Sequence, residues 1–223
     1  MRSGATPSGR SDAGGDGPLV GVLALQGNVA EHCAMLARAG ARPLAVRRPR
    51  ELDAVEGIVL PGGESTTMAK LARAFGLMDP LARRLRDGMP AFGTCAGMIL
   101  LADRVQDASA DQETFGGLDV VVRRNAFGRQ VDSFEADLSV DLGPDQARAP
   151  YPAVFIRAPW VEKVGSGVGV VATVAAGSTM GRIVAVRQDH LLATSFHPEL
   201  TDDHRFHTAF VDLVRRAGTP RSR

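Results

Sequence analysis

The sequence predicts an α/β fold, with a mostly parallel central sheet, helices on both faces and an antiparallel extension. Three observations carry this. Continuous apolar runs alternate with stretches of helical spacing as far as residue 102, and three of those runs end in glycine-bearing turns. After Thr114 the chain changes to short strand-like segments separated by turn residues.

Residues 19–25 (LVGVLAL) form the unbroken apolar run that a central parallel strand requires. The run stops at Gln26-Gly27-Asn28, and residues 29–39 then show helical spacing closed by Gly40. Residues 42–47 read as a second strand. Residues 57–60 read as a third, ending in Pro61-Gly62-Gly63-Glu64-Ser65-Thr66-Thr67. Helices are expected near 68–75 and 80–86, with Ser65 and Thr66 available as N-caps. An apolar strand follows from Met89, and a helix starts at Ala96. Strands are expected near 119–123, 130–137, 153–158, 168–175, 182–187 and 191–195, with a last helix over 203–217. In such sheets ligands bind beyond the carboxyl ends of the strands. The turns at 26–28, 61–65 and 93–97 all fall on that rim.

With 223 residues and 44% hydrophobic content, the chain suits one domain, expected over residues 19–218. Residues 1–18 (MRSGATPSGRSDAGGDGP) have little apolar surface to bury and are expected to be a disordered leader, with 219–223 a disordered tail. A formal net charge of +1 leaves no electrostatic footprint for nucleic acid or an anionic membrane. No apolar run approaches the roughly 20 residues of a membrane-spanning helix. The leader has no apolar signal segment, and Cys33 and Cys95 do not form a secreted disulfide pattern. A cytoplasmic, reducing setting is therefore expected. No cofactor and no metal are expected.

The chemistry centres on Gly93-Thr94-Cys95-Ala96-Gly97, a G-x-nucleophile-x-G elbow between a strand and a helix. The turn would hold the Cys95 sulfur above the sheet edge, where a helix N-terminus favours thiolate. The pentapeptide alone is equally compatible with a small buried cysteine in a core strand. Among five histidines, His197 stands out because an apolar strand ends directly at it. Pro198 then breaks the element, so that Glu199 can turn back and hydrogen-bond the imidazole. A lone His-x-Glu also reads as the ordinary end of a strand. Acyl transfer needs oxyanion donors, for which Gly62, Gly63 and the Ala96 N–H are candidates. The two glycines are also what a plain tight turn would use.

The blocks Gly-Thr-Cys-Ala-Gly, Pro-Gly-Gly-Glu-Ser-Thr-Thr and Phe-His-Pro-Glu, in this order, resemble the class I (triad) glutamine amidotransferases, whose fold is flavodoxin-like. More narrowly, the chain resembles the glutaminase-subunit family of pyridoxal 5'-phosphate synthase (PdxT/SNO). That match rests on residues 25–32 (LQGNVAEH), 60–67 (LPGGESTT), 123–134 (RRNAFGRQVDSF) and 155–159 (FIRAP). It covers about residues 19–217.

The resemblance implies that Cys95 attacks the side-chain amide of L-glutamine, that His197 moves the protons, and that Glu199 orients His197. It implies glutamine contacts from Gly63, Glu64, Ser65, Arg124, Ile156 and Arg157. It also implies a (β/α)8 synthase subunit as partner, in a large hetero-oligomer on a dodecameric synthase core, to which the ammonia passes for vitamin B6 synthesis. Gln26, Asn28 and His32 are candidates for the partner face, although His32 reads equally as an inconsequential histidine on a helix surface. Two other classes stay open on the residues: another Cys-His-acid hydrolase or redox-responsive thiol protein, and a non-catalytic binding subunit.

Overall fold

A computed structural model describes residues 17–124, 126, 133–143, 150–177 and 179–218. Residues 1–16 of the expected leader, the expected tail, and the 127–132 part of the 123–134 block together with Asn125, lie outside the described residues.

The first half alternates strand and helix: β1 (Leu19–Leu23), α1 (Val29–Arg38), β2 (Arg42–Val46), α2 (Pro49–Ala54), β3 (Gly57–Leu60), α3 (Ser65–Ala74), α4 (Met78–Arg86), β4 (Ala91–Thr94) and α5 (Ala96–Leu101). Strands then dominate: β5 (Ala102–Gln106), β6 (Leu118–Arg123), β7 (Ser133–Leu138), β8 (Tyr151–Ile156), β9 (Trp160–Val164), β10 (Gly169–Thr173), β11 (Ile183–Gln188) and β12 (Leu191–Thr194). A 3-10 turn (Pro198–Leu200) and α6 (Arg205–Gly218) close the chain.

Ten strands make one sheet in the order β2-β1-β3-β4-β12-β11-β9-β6-β5, with β10 also paired to β11. The neighbours from β2 to β12 are all parallel. From β12 through β11 and β9 to β6 the pairing is antiparallel, and β5 lies parallel to β6 at the far edge. Strands β7 and β8 form a separate antiparallel pair.

The two-residue period of the strands sorts the core onto the two faces of this sheet. Ile58, Leu60 and Ala91 point into one apolar cluster, filled by Met68, Leu81 and Leu100 from α3, α4 and α5. Val20, Val22, Val59 and Phe92 point into the other, filled by Leu36 of α1 and by Phe206 and Phe210 of α6. Helices therefore cover both faces, as expected from the unbroken apolar strands. Among the described residues no helix is long and apolar enough to cross a membrane.

Three elements escape sequence reading, each for a physical reason. Helix α2 is one and a half turns long and buries Leu52 alone, so it has no periodic stripe. Strand β5 begins at Ala102, directly after the last helical residue, and no glycine or proline marks the change. Strand β9 carries Glu162 and Lys163, so its apolar signal is only Trp160 and Val161 before Val164.

Candidate active site

Cys95 follows β4 and opens α5 with φ 49° and ψ −104°, a backbone conformation that a side chain normally avoids. The turn is held from behind, because the Cys95 N–H donates to the Thr194 carbonyl of β12 at 2.8 Å. Its tightness depends on close approach. A Cβ on Gly97 would lie 2.0 Å from the Leu60 carbonyl oxygen, so α5 packs onto β3 only because residue 97 has none. Cys95 is 7% exposed, and its thiol lies 3.8 Å from the Ile156 carbonyl oxygen, to which it donates.

His197 leaves β12 by way of Ser195 and Phe196, and its N–H donates to the Val154 carbonyl of β8 at 2.9 Å. The Pro198–Leu200 turn folds Glu199 back, and its Oε1 meets His197 Nδ1 at 2.8 Å. Both groups are buried. Burial disfavours the imidazolium, but hydrogen bonding and charge from Cys95 and Glu199 outweigh it and push the His197 pKa up to about 10. Burial likewise opposes ionised Glu199, yet the His197 hydrogen bond and the facing imidazoles of His32 and His197 hold it down to about 2. Asn28 Nδ2 donates to the same Glu199 Oε1 at 3.1 Å.

The Gly62–Ser65 loop ends β3 beside this pair. A Cβ on Gly62 would stand 2.3 Å from His197 Cε1, so the loop passes against the imidazole edge. The Gln26 side chain accepts the Glu64 N–H at 2.9 Å and ties the loop to the first turn. The N-cap of α3 is Glu64 rather than Ser65 or Thr66. Its carboxylate takes the Thr66 and Thr67 N–H groups at 3.1 and 2.7 Å, while the Ser65 hydroxyl turns to Gln112 Oε1 at 2.6 Å. Those N–H bonds and the Thr67 hydroxyl overcome burial and bring the Glu64 pKa down to about 2. Arg124, just past β6, donates to Glu64 Oε1 at 2.9 Å and to Thr66 Oγ1 at 3.2 Å. Arg157, just past β8, is exposed and adopts φ 44°.

These groups surround one cavity of about 400 Å³. Cys95, Ala96, Gly62, Gly63, Glu64, Ser65, Arg124, Ile156, Arg157 and His197 all line it, and so every sequence-predicted site residue except Glu199 faces it. Glu199 sits behind His197. The pocket thus combines a thiol against an imidazole, backbone at two glycines and a helix start, and two guanidinium groups, the set needed to hold a carboxylate-bearing amide and attack it.

His32 is not on a surface: it is 0% exposed, so it takes no part in a partner face and is not an idle surface histidine. Position 32 falls on the inner face of α1 with Met35 and Leu36. It packs behind Glu199, together with Thr94 and His207, two residues that sequence reasoning passed over. The available signal was His207 itself, which lies in the apolar stripe Phe206, Phe210, Val211 and Val214 of α6. Gln26 and Asn28, the other candidates for that face, are exposed and half-buried.

The SNO glutamine amidotransferase family matches residues 22–216. A curated relative from Nocardioides sp., described as pyridoxal 5'-phosphate synthase subunit PdxT, is 63% identical over 197 residues, covering 88% of this chain and 96% of the relative. One of the same description from Nocardia farcinica is 60% identical over 214 residues, covering 96% and 93%. A crystal structure described as a glutamine amidotransferase superposes with a TM-score of 0.79 at 44% identity, over 88% of this chain and 98% of that one. The PurLQS structure from Thermotoga maritima gives a TM-score of 0.61 at 18% identity, covering 90% and 96%, a likeness of fold alone.

Proposed function

The chain belongs to the SNO glutamine amidotransferase family, and from that premise we propose that it hydrolyses L-glutamine to L-glutamate and ammonia with Cys95, His197 and Glu199 as its triad. The observation that carries this reading is the buried His197–Glu199 pair at 2.8 Å, with Cys95 against the same imidazole and open to the cavity.

His197 holds the proton of the Cys95–His197 pair as imidazolium, and the Cys95 sulfur attacks the amide carbon of the glutamine side chain. Backbone N–H groups of Ala96 and of Gly62 or Gly63 receive the developing oxyanion. The His197 imidazolium protonates the leaving nitrogen, which departs as ammonia and leaves a γ-glutamyl thioester. Neutral His197 then takes a proton from water, and the hydroxide breaks the thioester to give glutamate and the freed Cys95 sulfur, with the proton on His197 as at the start. Glu199 keeps His197 oriented and compensates its charge in both steps. Arg124 and Arg157 supply guanidinium groups for the substrate α-carboxylate, and Gly63, Glu64, Ser65 and Ile156 shape the rest of the subsite.

The curated relatives are described as subunits of pyridoxal 5'-phosphate synthase. By that likeness the ammonia goes to a (β/α)8 synthase subunit for vitamin B6 synthesis, within a large hetero-oligomer on a dodecameric core, in the cytoplasm. A single glutaminase domain over residues 19–218 is the unit that docks there. The test is glutamate release from L-glutamine by the chain mixed with a cognate synthase subunit. Release is expected to disappear in Cys95→Ala, and release undiminished by that change would sink the assignment.

A further inference from the structure

Behind the triad lies a buried row of polar groups that the hydrolysis as described leaves unused. Among the described residues Glu199 Oε2 makes no ordinary hydrogen bond, but His32 Nε2 faces it at 3.4 Å. The same nitrogen lies 3.2 Å from Thr94 Oγ1. On its other side His32 Nδ1 meets His207 Nε2 at 3.0 Å, and His207 Nδ1 is buried with no partner among the described residues. Both His32 and His207 are 0% exposed.

Resting on the reading of Glu199 as the group that orients His197, we propose that His32 is a positioning residue for Glu199. In its neutral Nε2–H tautomer it presents its N–H to the rear carboxylate oxygen and Thr94, and His207 locks that tautomer. The assignment follows from counting protons. Only one ring nitrogen of a neutral imidazole carries hydrogen. With the proton on His32 Nε2, that N–H faces two oxygens, and Nδ1 accepts from His207 Nε2–H. The unpartnered His207 Nδ1 is then a bare lone pair.

The opposite tautomer is worse at both ends. It would turn a His32 lone pair toward a carboxylate and leave a buried His207 N–H without an acceptor among the described residues, where an unmade donor bond costs about 1–3 kcal/mol. A charged row is disfavoured as well, since burial pushes His32 down against the pull of Glu199 and holds His207 at about 3. Glu199 is thereby gripped from two sides: Asn28 and His197 hold Oε1, and His32 stands behind Oε2. Loss of the rear grip lets the carboxylate swing and with it the imidazole that must face Cys95.

Two measurements decide it. In the chain labelled with 15N-histidine, two-bond proton–nitrogen spectra at neutral pH are expected to show His32 with a protonated Nε2 and a bare Nδ1. A proton on Nδ1, or an imidazolium, overturns the proposal. In the complex with the synthase subunit, His32→Leu is expected to lower kcat for glutamine hydrolysis about 10–100-fold, as loss of an orienting partner does, with KM within about twofold. His32→Gln, whose amide nitrogen reaches toward Glu199, is expected to recover most of that loss. Wild-type kcat in His32→Leu, or His32→Gln no better than His32→Leu at equal folded fraction by circular dichroism, also overturns it. Absence of glutamate release from the wild-type complex would instead remove the glutaminase reading, while the tautomer spectrum still stands on its own.

Discussion

At the scale of single residues, the site depends on two ionisations held together over a wider span of pH than water allows. His197 holds its proton up to about 10 and Glu199 loses its own at about 2, against ordinary values of 6.5 and 4.5. A raised histidine stabilises the fold fully below 6.5 and loses that contribution as pH climbs through about 10. A lowered carboxylate contributes fully above 4.5 and loses it as pH falls through about 2. The pair therefore stabilises most between 4.5 and 6.5. Chemical denaturation of wild type and Glu199→Gln across pH is expected to show the largest gap there, shrinking on both sides. A gap that does not vary with pH would mean the pair is not ionised as described. In the complex, Glu199→Gln is expected to lower kcat about 10²–10⁴-fold, in line with loss of the orienting acid in other triads.

At the scale of elements, much of the site was legible because glycine and proline leave marks that tertiary packing seldom overrides. The elbow at Gly93–Gly97 and the His197-Pro198-Glu199 turn both stand where the sequence predicts them. The N-cap of α3 was misread because Ser and Thr are the usual caps, whereas here a carboxylate captures two N–H groups at once. His32 was misread because its side chain is polar, although it sits three and four residues before Met35 and Leu36 on the buried face of α1.

The glycines separate two kinds of damage. Gly97→Ala drives a methyl into the Leu60 carbonyl, backbone that cannot step aside, and is expected to cost about 1–3 kcal/mol of stability, read as a lower Tm. Gly62→Ala meets the His197 ring instead, so its expected effect is a fall in kcat with a smaller change in Tm. If both variants lose stability equally and keep kcat, the loop does not bear on the imidazole.

At the scale of the whole molecule, the cavity lies on a seam. The parallel half supplies Cys95, the Gly62–Ser65 loop and the Gln26 turn, all at the carboxyl ends of neighbouring strands, and this much follows from the order of strand, turn and helix alone. The antiparallel half supplies Arg124, Ile156 and Arg157, whose presence in the site no periodicity announces; only resemblance to a family points to them. Arg124 crosses the seam, donating to Glu64 and Thr66 at the start of α3. If that bridge sets the shape of the glutamine subsite, the two residues act as one unit. Arg124→Ala and Glu64→Ala are each expected to raise KM for glutamine about tenfold, since either loses the same contact. The double variant should then fall short of the product, with a coupling of about 0.5–3 kcal/mol. Glu64→Ala carries a further cost of about 0.5–2 kcal/mol in stability from the lost cap, which a melting curve separates from binding. Strictly multiplicative effects on KM would mean that the two halves meet the substrate independently, and that the ion pair merely fills the space between them.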